Sequence, residues 1–342
     1  MILYGKHFVD KSDEKKLIST LNSKYLTSGP IQKKFENKIK SITKSKHVNV
    51  CNSATSALMV SFYAIGLSKD DTIIMPAINF IASYNMAKKI GAKIYFADVD
   101  KYTGQMTYKN ILDCIKKFKL EKIKVIVTMH LGGYPENSIE IFKIKKKYKC
   151  FIVEDACHAF GAKYEYRKKK IPVGSCVHSD ISTFSFHPVK GVTTGEGGAV
   201  TTNDSKLAKK MSLLISHGVV RKKNHWKYDV ILNGFNLRLS EINCSLGLSQ
   251  LKKLSNFISY RKKIYNHYEK KLKFFNDFIK IPNYQIKNSP SYHLMIISIN
   301  FNKLKSNRDL FYKFMLKNKI YLQLHYHPIF LFSIFKKIKD FI

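Results

Sequence analysis

A lysine and an aspartate, each after an apolar run, are the residues of this chain best placed to do chemistry. Lys190 follows the β-rich residues 181–186 and directly precedes a glycine-rich turn at residues 191–198. Asp155 follows the apolar residues 150–153. A lysine can form a Schiff base with an aldehyde, and a carboxylate can pair with a pyridinium nitrogen. The two residues together therefore predict a site for pyridoxal 5'-phosphate (PLP).

Each of these residues is weak evidence when it is taken alone. The chain has 60 lysines and arginines, of which only five are arginines, so a lysine near glycines is common here. An aspartate at a strand end is more often a turn former or a helix cap than a cofactor ligand. The specific signal is the order of the two residues on alternating strands and helices.

The elements that must position these residues are visible in the hydrophobic pattern. Predicted strands cover residues 47–51, 72–75, 93–97, 124–129, 150–153, 181–186 and 199–202. Predicted helices cover residues 13–24, 31–43, 55–65, 79–89, 108–118, 138–148 and 205–216. This alternation predicts an α/β fold with a mostly parallel sheet between helices. Ligands of such sheets bind at the carboxyl ends of the strands, where Asp155 and Lys190 are predicted to lie.

The pattern changes towards the C-terminus. Helices are predicted at residues 240–251, 254–274 and 305–317, and strands at residues 292–300 and 321–325. We expect a large domain at residues 1–252 and a smaller C-terminal α/β domain at residues 253–342. His325 and His327 would face the same side of the last strand. No third ligand has suitable spacing, so we predict no metal site.

Charge and cysteine usage limit the classes of partner. The formal net charge is +36, which could suit nucleic acid or another anionic partner. The lysines are spread throughout the chain, however, which favours compositional drift over a nucleic-acid surface. We therefore predict no nucleic-acid partner. The six cysteines form no C-x-x-C pair, as is typical of reduced thiols in a cytoplasmic protein. No apolar run reaches membrane-spanning length, so we also predict no membrane partner.

Five motifs carry a family resemblance. They are Leu26-Thr27-Ser28-Gly29-Pro30, Asn52-Ser53-Ala54-Thr55-Ser56-Ala57-Leu58, Ser185-Phe186-His187-Pro188-Val189-Lys190, Ser216-His217-Gly218-Val219-Val220 and Gln323-Leu324-His325-Tyr326-His327-Pro328. Through them, from about Tyr25 to its last residues, the chain resembles the DegT-type sugar-nucleotide aminotransferases, which are fold-type I PLP enzymes. It is most similar to the subgroup that aminates C4 of UDP-4-keto sugars in pseudaminic acid biosynthesis.

The resemblance implies a role for each residue near the reacting atoms. Lys190 would hold PLP and, once released, act as the general base. Asp155 would keep the ring nitrogen protonated by its opposite charge. His158 matches the family position at the hydroxyl side of the ring, although a lone histidine is more often a satisfied core residue. His325 and Tyr326 would line the sugar-nucleotide pocket.

Other residues would hold the rest of the cofactor. Thr55 and Ser56 open a predicted helix, whose free N–H groups and hydroxyls could bind a phosphate, although a plain helix cap is equally good chemistry. Ser185 matches a phosphate ligand of the family, and Phe80 matches the aromatic that stacks on the ring. Asn236 matches a residue that reaches the phosphate from the neighbouring subunit, so we expect a homodimer with shared active sites.

These expectations combine into one function with two alternatives. We expect an aminotransferase that moves an amino group from L-glutamate to C4 of a UDP-4-keto-6-deoxy-N-acetylhexosamine, for nonulosonic (pseudaminic) acid or another surface glycan. One alternative is a dTDP- or GDP-linked keto sugar. The other is an inactive truncated relative, because family members usually continue past the equivalent of Phe335. For the same reason we expect the apolar residues near the end to be exposed: Ile329, Phe330, Leu331, Phe332, Ile334, Phe335, Phe341 and Ile342.

Overall fold

A computed structural model describes residues 1–221, 226–285 and 287–335 of the chain. The helices of this part are α1 (Lys11–Leu21), α2 (Pro30–Thr43), α3 (Ala54–Ile65), α4 (Ala82–Ile90), α5 (Tyr108–Lys117), α6 (Ser138–Tyr148), α7 (Ser205–Ile215), α8 (Glu241–Leu251), α9 (Leu254–Leu272) and α10 (Arg308–Lys317). The strands are β1 (His47–Cys51), β2 (Thr72–Pro76), β3 (Lys93–Ala97), β4 (Val125–Met129), β5 (Phe151–Asp155), β6 (Lys163–Tyr166), β7 (Lys169–Pro172), β8 (Ile181–Ser185), β9 (Gly198–Thr202), β10 (Val219–Arg221), β11 (Tyr228–Val230), β12 (Ile279–Lys280) and β13 (Ser298–Ile299).

Seven strands form one large sheet in the order β1-β9-β8-β5-β4-β2-β3. Strand β9 is antiparallel to both of its neighbours, and every other adjacent pair is parallel. The predicted α/β fold with a mostly parallel sheet is therefore confirmed. Asp155, the last residue of β5, lies opposite Thr183 of β8. The ends of these two neighbouring strands consequently meet at one edge of the sheet.

The sheet is buried on both faces because its strands are apolar at successive positions. In β4 all five residues are buried. Val125 and Val127 belong to a core cluster that also contains residues of α3, α4 and α7. Ile126, between them, belongs to a second cluster with residues of α5 and α6. Side chains that alternate along a strand thus bury both sides of it, as two covering helix layers require.

Capping residues set where the helices begin. The Ser53 side chain accepts a hydrogen bond from the N–H of Ser56, so α3 begins at Ala54. Helix α6 covers the predicted residues 138–148. Helix α4 starts later than predicted, because Asn79 accepts a hydrogen bond from the N–H of Phe80 and forms a local turn. Phe80 therefore lies in the loop before α4 and not within its first turn.

The C-terminal region contains less strand than the sequence predicts. The strand predicted at residues 292–300 is reduced to Ser298–Ile299, which pairs with Ile279–Lys280. The strand predicted at residues 321–325 does not form. Instead, Ile2 donates to the Lys319 carbonyl and accepts from the N–H of Tyr321, so this segment pairs with the N-terminus through an isolated bridge. The predicted single-faced arrangement of His325 and His327 on a strand is therefore wrong. The domain boundary after residue 252 stays a prediction.

Two hairpins were not predicted. Strands β6 and β7 are joined by a turn in which Arg167 and Lys168 have positive φ angles, so only this part of the lysine-rich residues 167–170 is a loop. Strands β10 and β11 form the second hairpin. Both are short and rich in charged residues, which is why hydrophobic alternation does not reveal them.

The apolar residues near the end of the chain are only partly exposed. Ile329 is completely buried, and its N–H donates to the Ala77 carbonyl. Phe335 packs against Tyr84 and Phe96, with ring centroids 4.8 and 6.0 Å apart. The expectation of exposure is thus wrong for these two residues. It is confirmed for Phe330, Leu331, Phe332 and Ile334, while Phe341 and Ile342 lie outside the described residues. No described helix is long and apolar enough to span a bilayer.

Candidate active site

Lys190 lies in a turn that leaves the end of β8. Its N–H donates to the His187 carbonyl. The Phe186 carbonyl accepts two hydrogen bonds, one from the hydroxyl of Thr193 and one from the N–H of Thr194. The turn is thereby tied back to the buried end of the strand. Burial lowers the pKa of the Lys190 ammonium, while Cys157 and Asp155 act in the opposite direction. The lysine therefore lies close to the end of β5.

Asp155 is the acidic residue of this site. It is 4% exposed, and one carboxylate oxygen accepts a hydrogen bond from the N–H of Cys157 at 3.2 Å. Burial raises the pKa of Asp155, because a charged carboxylate is poorly solvated there. A cationic group placed against it would be stabilised by the same lack of solvent.

The preceding residue, Glu154, is turned to the other side of the strand. Its carboxylate accepts a hydrogen bond from the Ser182 hydroxyl at 2.6 Å and lies 2.8 Å from Nε2 of His130. Glu154 is thus already partnered within the fold, whereas among the described residues the Asp155 carboxylate is hydrogen-bonded by Cys157, with Lys190 acting on it electrostatically.

His158 is held from both sides of its ring. Nδ1 accepts a hydrogen bond from the N–H of Gly132 at 3.3 Å, and Nε2 lies 3.0 Å from the hydroxyl of Tyr326. Burial, His293 and Lys190 lower its pKa well below the usual range, so the ring is neutral. Because Nδ1 accepts, Nε2 carries the hydrogen and donates to Tyr326. The predicted active-site histidine is therefore fixed in one tautomer and one orientation.

An aromatic wall, which consists of Tyr4, Phe80, His325 and Tyr326, stands beside His158. The Tyr4 hydroxyl lies 2.7 Å from Nε2 of His325, and the two rings stack with centroids 5.2 Å apart. Phe80 is 53% exposed and its ring centroid lies 6.0 Å from that of Tyr326. Burial and Lys190 lower the pKa of His325 to about 4. An exposed aromatic ring beside a buried polar cluster provides a surface on which a flat ligand can stack.

The first turn of α3 contains Thr55 and Ser56, the two residues of this helix that were predicted to bind a phosphate. The Ser56 hydroxyl donates to Oδ1 of Asn52 at 2.6 Å, so it is already used within the fold. Thr55 is half-buried in the first turn of the helix. Gly198 lies so close that a Cβ atom there would be 2.4 Å from the Ser53 carbonyl. Backbone N–H groups and Thr55 are thus better placed than the Ser56 side chain to bind a phosphate.

Two predicted site residues lie at the margins. Ser185 is the last residue of β8, and its hydroxyl accepts from the N–H of His187 at 3.4 Å. Asn236 is exposed and forms a backbone bridge with Ser216. Within the described part of one chain, no hydrogen bond joins the Asn236 side chain to the Lys190 cluster. The structure therefore brings together Lys190, Asp155, His158, His325 and Tyr326, with Phe80 adjacent, but it does not bring Asn236 to them.

Three residues of the site were missed from the sequence. Tyr4 lies in the aromatic wall, and Arg261 donates to the Lys190 carbonyl at 3.4 Å. The His293 ring packs against His158 at a tilt, with ring centroids 4.5 Å apart. None of them lies in a local pattern that marks a functional residue. Only the folded chain places them beside residues that are far away in sequence.

The chemical groups of PLP fit these residues. A half-buried lysine lies near a buried carboxylate, whose pKa its charge lowers. The neutral His158 and the exposed ring of Phe80 lie nearby, and the N-terminus of α3 follows strand β1 of the same sheet. The lysine could bind the aldehyde of PLP, the carboxylate its protonated ring nitrogen, the aromatic side chain its flat ring, and the helix N-terminus its phosphate. A metal ion does not, because the described residues contain no cluster of three candidate ligands.

Comparisons with known proteins agree with this chemistry. Residues 8–340 match the DegT/DnrJ/EryC1/StrS aminotransferase family. A UDP-4-amino-4,6-dideoxy-N-acetyl-beta-L-altrosamine transaminase of Campylobacter jejuni (strain 81-176) is 36% identical over 340 residues, which are 99% of this chain and 87% of the relative. A GDP-perosamine synthase of Escherichia coli O157:H7 is 36% identical over 253 residues, or 74% of this chain and 66% of the relative. The solved structure of Helicobacter pylori PseC, an aminotransferase involved in the biosynthesis of pseudoaminic acid, has a TM-score of 0.88 and 33% identity, covering 99% of this chain and 88% of that one.

Proposed function

The chain belongs to the DegT/DnrJ/EryC1/StrS aminotransferase family, and from that premise we propose that it moves an amino group from L-glutamate to C4 of a UDP-4-keto-6-deoxy-N-acetylhexosamine. Enzymes of this family are PLP-dependent sugar aminotransferases. The observation that carries the proposal is the convergence of Lys190, Asp155 and His158 at the ends of β5 and β8. The product is an amino sugar for pseudaminic acid or a related surface glycan.

Lys190 and Asp155 divide the proton chemistry between them. PLP, when bound, supplies an aldehyde and a ring that withdraws electrons. Because burial lowers the pKa of Lys190, its Nζ atom can be a neutral amine, which accepts a proton from a substrate carbon and returns it. The buried Asp155 carboxylate holds a proton at a ring nitrogen placed against it.

His158 and Tyr326 position the ligand without a change of charge. His158 donates through Nε2 to the Tyr326 oxygen, which leaves the Tyr326 O–H free to donate to a bound oxygen atom. Phe80 would cover the face of the PLP ring, and Thr55 with the N–H groups of α3 would hold its phosphate. His325, fixed by Tyr4, faces the sugar. The contacts of each residue support these proposed roles.

The active enzyme is a homodimer in this proposal. Asn236 is exposed and has no bond to the Lys190 cluster of its own chain, which supports a role in the partner's phosphate site. The six cysteines are free thiols, five of them buried, which supports a cytoplasmic enzyme. A small C-terminal unit from residue 253 onwards would complete each site.

A second acceptor is a GDP-linked keto sugar. The similarity to a GDP-perosamine synthase, with the same identity over a shorter region, favours it as the alternative. Both acceptors present a 4-keto group to the same lysine, so the residues around Lys190 do not separate them.

The test is to incubate the purified protein with PLP, L-glutamate and a panel of 4-keto sugars linked to UDP, GDP or dTDP. We expect an aminated UDP-sugar by mass spectrometry, with the nitrogen atom derived from ¹⁵N-labelled glutamate. Lys190→Ala is the matched control and should give none. A label found only in a GDP- or dTDP-sugar would replace the proposed acceptor, and no labelled product from any sugar would refute the function.

A further inference from the structure

A cleft of about 440 Å³ lies beside the outermost strand of the large sheet, between α2, the start of β1 and α7. The first residue of β1, His47, pairs with Thr202 at the end of β9. The other end of β9 is Gly198, which pairs with Ser185, where the turn that carries Lys190 begins. A strand of this length spans roughly 13 Å between its first and last Cα atoms. The cleft is therefore separate from the candidate active site.

Four lysines from three parts of the fold line this cleft. Lys33 and Lys40 belong to α2, Lys46 directly precedes β1, and Lys209 belongs to α7. Lys33 forms an ion pair with Glu36, whereas within the described ranges the other three lysines form none. Like charges around one concave surface repel one another and add to a common field, so the cleft favours an anion.

Glu36 does not cancel this positive charge. It is the one carboxylate among the described residues that line the cleft, and it is 8% exposed. The N–H of Val50 donates to it at 3.3 Å, and Nζ of Lys33 lies 3.4 Å from it. Burial raises the pKa of Glu36, which reduces its negative charge further. The cleft thus keeps three lysines that no carboxylate neutralises.

The walls of the cleft are fixed by hydrogen bonds that need no ligand. The N–H of Lys46 donates to Oδ1 of Asn203 at 2.9 Å. The amide of Asn203 in turn donates to the carbonyls of Ser175 and Cys176 at 2.9 and 3.0 Å. The segment before β1 and the start of α7 are thereby held together. A preformed cleft of this volume lies within the range of small-molecule sites, about 300–1,000 Å³.

The remaining lining residues favour a sugar over a nucleobase. Asn37, Asn49, Ser205 and Ser212 present amides and hydroxyls, and their side chains have no hydrogen bond within the part of the chain that the structure describes. Such groups both donate to and accept from the hydroxyls of a sugar. No tyrosine, phenylalanine or tryptophan is among the described lining residues, so the cleft offers a base no aromatic ring on which to stack.

We propose that this cleft binds a sugar phosphate, with the phosphate group among Lys40, Lys46 and Lys209. A lysine ammonium binds phosphate as a point charge, and three of them from separate elements can surround one dianion. The inference goes beyond the proposed aminotransferase reaction. Its ligand is a molecule other than the amino acceptor, because the cleft lies a strand length away from the turn after β8.

The experiment measures binding by calorimetry in a low-salt buffer without phosphate. Glucose 6-phosphate and glucose 1-phosphate are titrated into PLP-saturated protein, and glucose, inorganic phosphate and UDP are titrated in parallel. The variants are Lys40→Met, Lys46→Met and Lys209→Met. The matched controls are Lys38→Met on α2 and Lys210→Met on α7, which remove exposed lysines that do not line the cleft. Near-ultraviolet circular dichroism confirms that each variant is folded.

We expect at least one of the two sugar phosphates to bind, and its affinity to fall by roughly threefold to tenfold in each lining variant. The loss is that of one partly screened charge contact. Lys38→Met and Lys210→Met should behave as wild type. Lys190→Ala, and wild-type protein saturated with UDP, should also keep the affinity, because neither change touches the cleft. Inorganic phosphate should bind more weakly, and glucose should not bind.

Four results would overturn the inference. The first is wild-type protein that binds neither sugar phosphate. The second is an equal loss in the control and lining variants, which would assign the binding to the overall charge of the chain. The third is competition by UDP, which would assign it to the nucleotide-sugar site. The fourth is inorganic phosphate that binds as tightly as the sugar phosphates. None of these measurements needs amino transfer, so the cleft and the proposed function can fail independently.

Discussion

Glu154 and Asp155 are adjacent residues of β5, and we predict that neutralising them has opposite consequences for the protein. Successive side chains of a strand point to opposite faces of the sheet, so the two carboxylates lie in different surroundings. Glu154 is 4% exposed and is engaged by Ser182 and His130. Asp155 is equally buried but accepts only one backbone hydrogen bond, from Cys157. The first therefore stabilises the fold, and the second serves the site.

The magnitude for Glu154→Gln follows from its partners. Burial opposes ionisation of Glu154, but His130 and Ser182 outweigh this effect and lower its pKa. Three groups face the Glu154 carboxylate: the Ser182 hydroxyl, the Gly174 N–H and the His130 imidazole. A glutamine has one oxygen that accepts and an NH₂ group that only donates, so at least one of these buried contacts is lost. Breaking a buried pair of this kind costs roughly 3–5 kcal/mol. Since the total free energy of unfolding of a domain is about 5–15 kcal/mol, the change should be large.

Asp155→Asn should instead leave the fold intact. Burial raises the pKa of Asp155, so the ionised form weakens the folded state without a ligand, and removal of the charge costs no stability. The half-reaction with glutamate should slow by a factor on the order of a hundred or more, because the ring nitrogen loses its counter-charge.

The assay is urea unfolding of the cofactor-free protein at pH 7 and at lower pH. The contribution of Glu154 is complete above its ordinary pKa, 4.5, and is lost as the pH falls through its lower folded-state pKa. Glu154→Gln should remove this acid-dependent part of the stability. Glu165→Gln, whose partly exposed carboxylate pairs with Lys170, is the control and should cost under about 1 kcal/mol. Wild-type stability in Glu154→Gln, or an equal loss in Asp155→Asn, would refute the reasoning.

Three further predictions concern the cofactor and the dimer. Borohydride should fix PLP to the peptide that contains Lys190, and the same adduct at another lysine in Lys190→Ala would contradict the assignment. Mixed dimers of Lys190→Ala and Asn236→Ala should recover activity that neither variant has, because one interface then holds an intact site; no recovery in proven heterodimers counts against shared sites. Gly198→Ala should weaken PLP binding in an absorbance titration, because its Cβ atom would lie 2.4 Å from the Ser53 carbonyl at the start of α3; unchanged affinity would exclude that helix end from the phosphate site.

Local sequence pattern was sufficient to predict the large sheet and the strand ends after which Asp155 and Lys190 lie. Strands such as residues 125–129 are continuous apolar runs, and the helices between them begin at recognisable caps such as Ser53. Because parallel strands end at one edge of a sheet, Asp155 and Lys190 could be predicted as neighbours from local pattern alone. His158 follows three residues after Asp155, so the same argument included it.

The predictions that failed depended on contacts that no local pattern encodes. The segment at residues 320–326 has strand-like composition, but its backbone pairs with Ile2 at the opposite end of the chain. Likewise, the Ser56 hydroxyl donates to Asn52, a contact that the sequence does not reveal, while the role of Ser56 at a phosphate stays a prediction. In each case a hydrogen-bonding group was satisfied by a partner that the sequence does not identify.

The side chains that surround Lys190 come from distant segments, and their neighbours are defined by the packing of the folded chain. Tyr326 reaches His158 across 168 residues of sequence, and Tyr4 reaches His325 across 321. Arg261 contacts the carbonyl of Lys190 across 71 residues. A tyrosine, an arginine or a histidine in a segment without periodic pattern gives no sign of its partner. The donors and acceptors around Lys190 were therefore selected by the packing of distant segments, because burial, and not spacing along the chain, determines which polar groups must find each other.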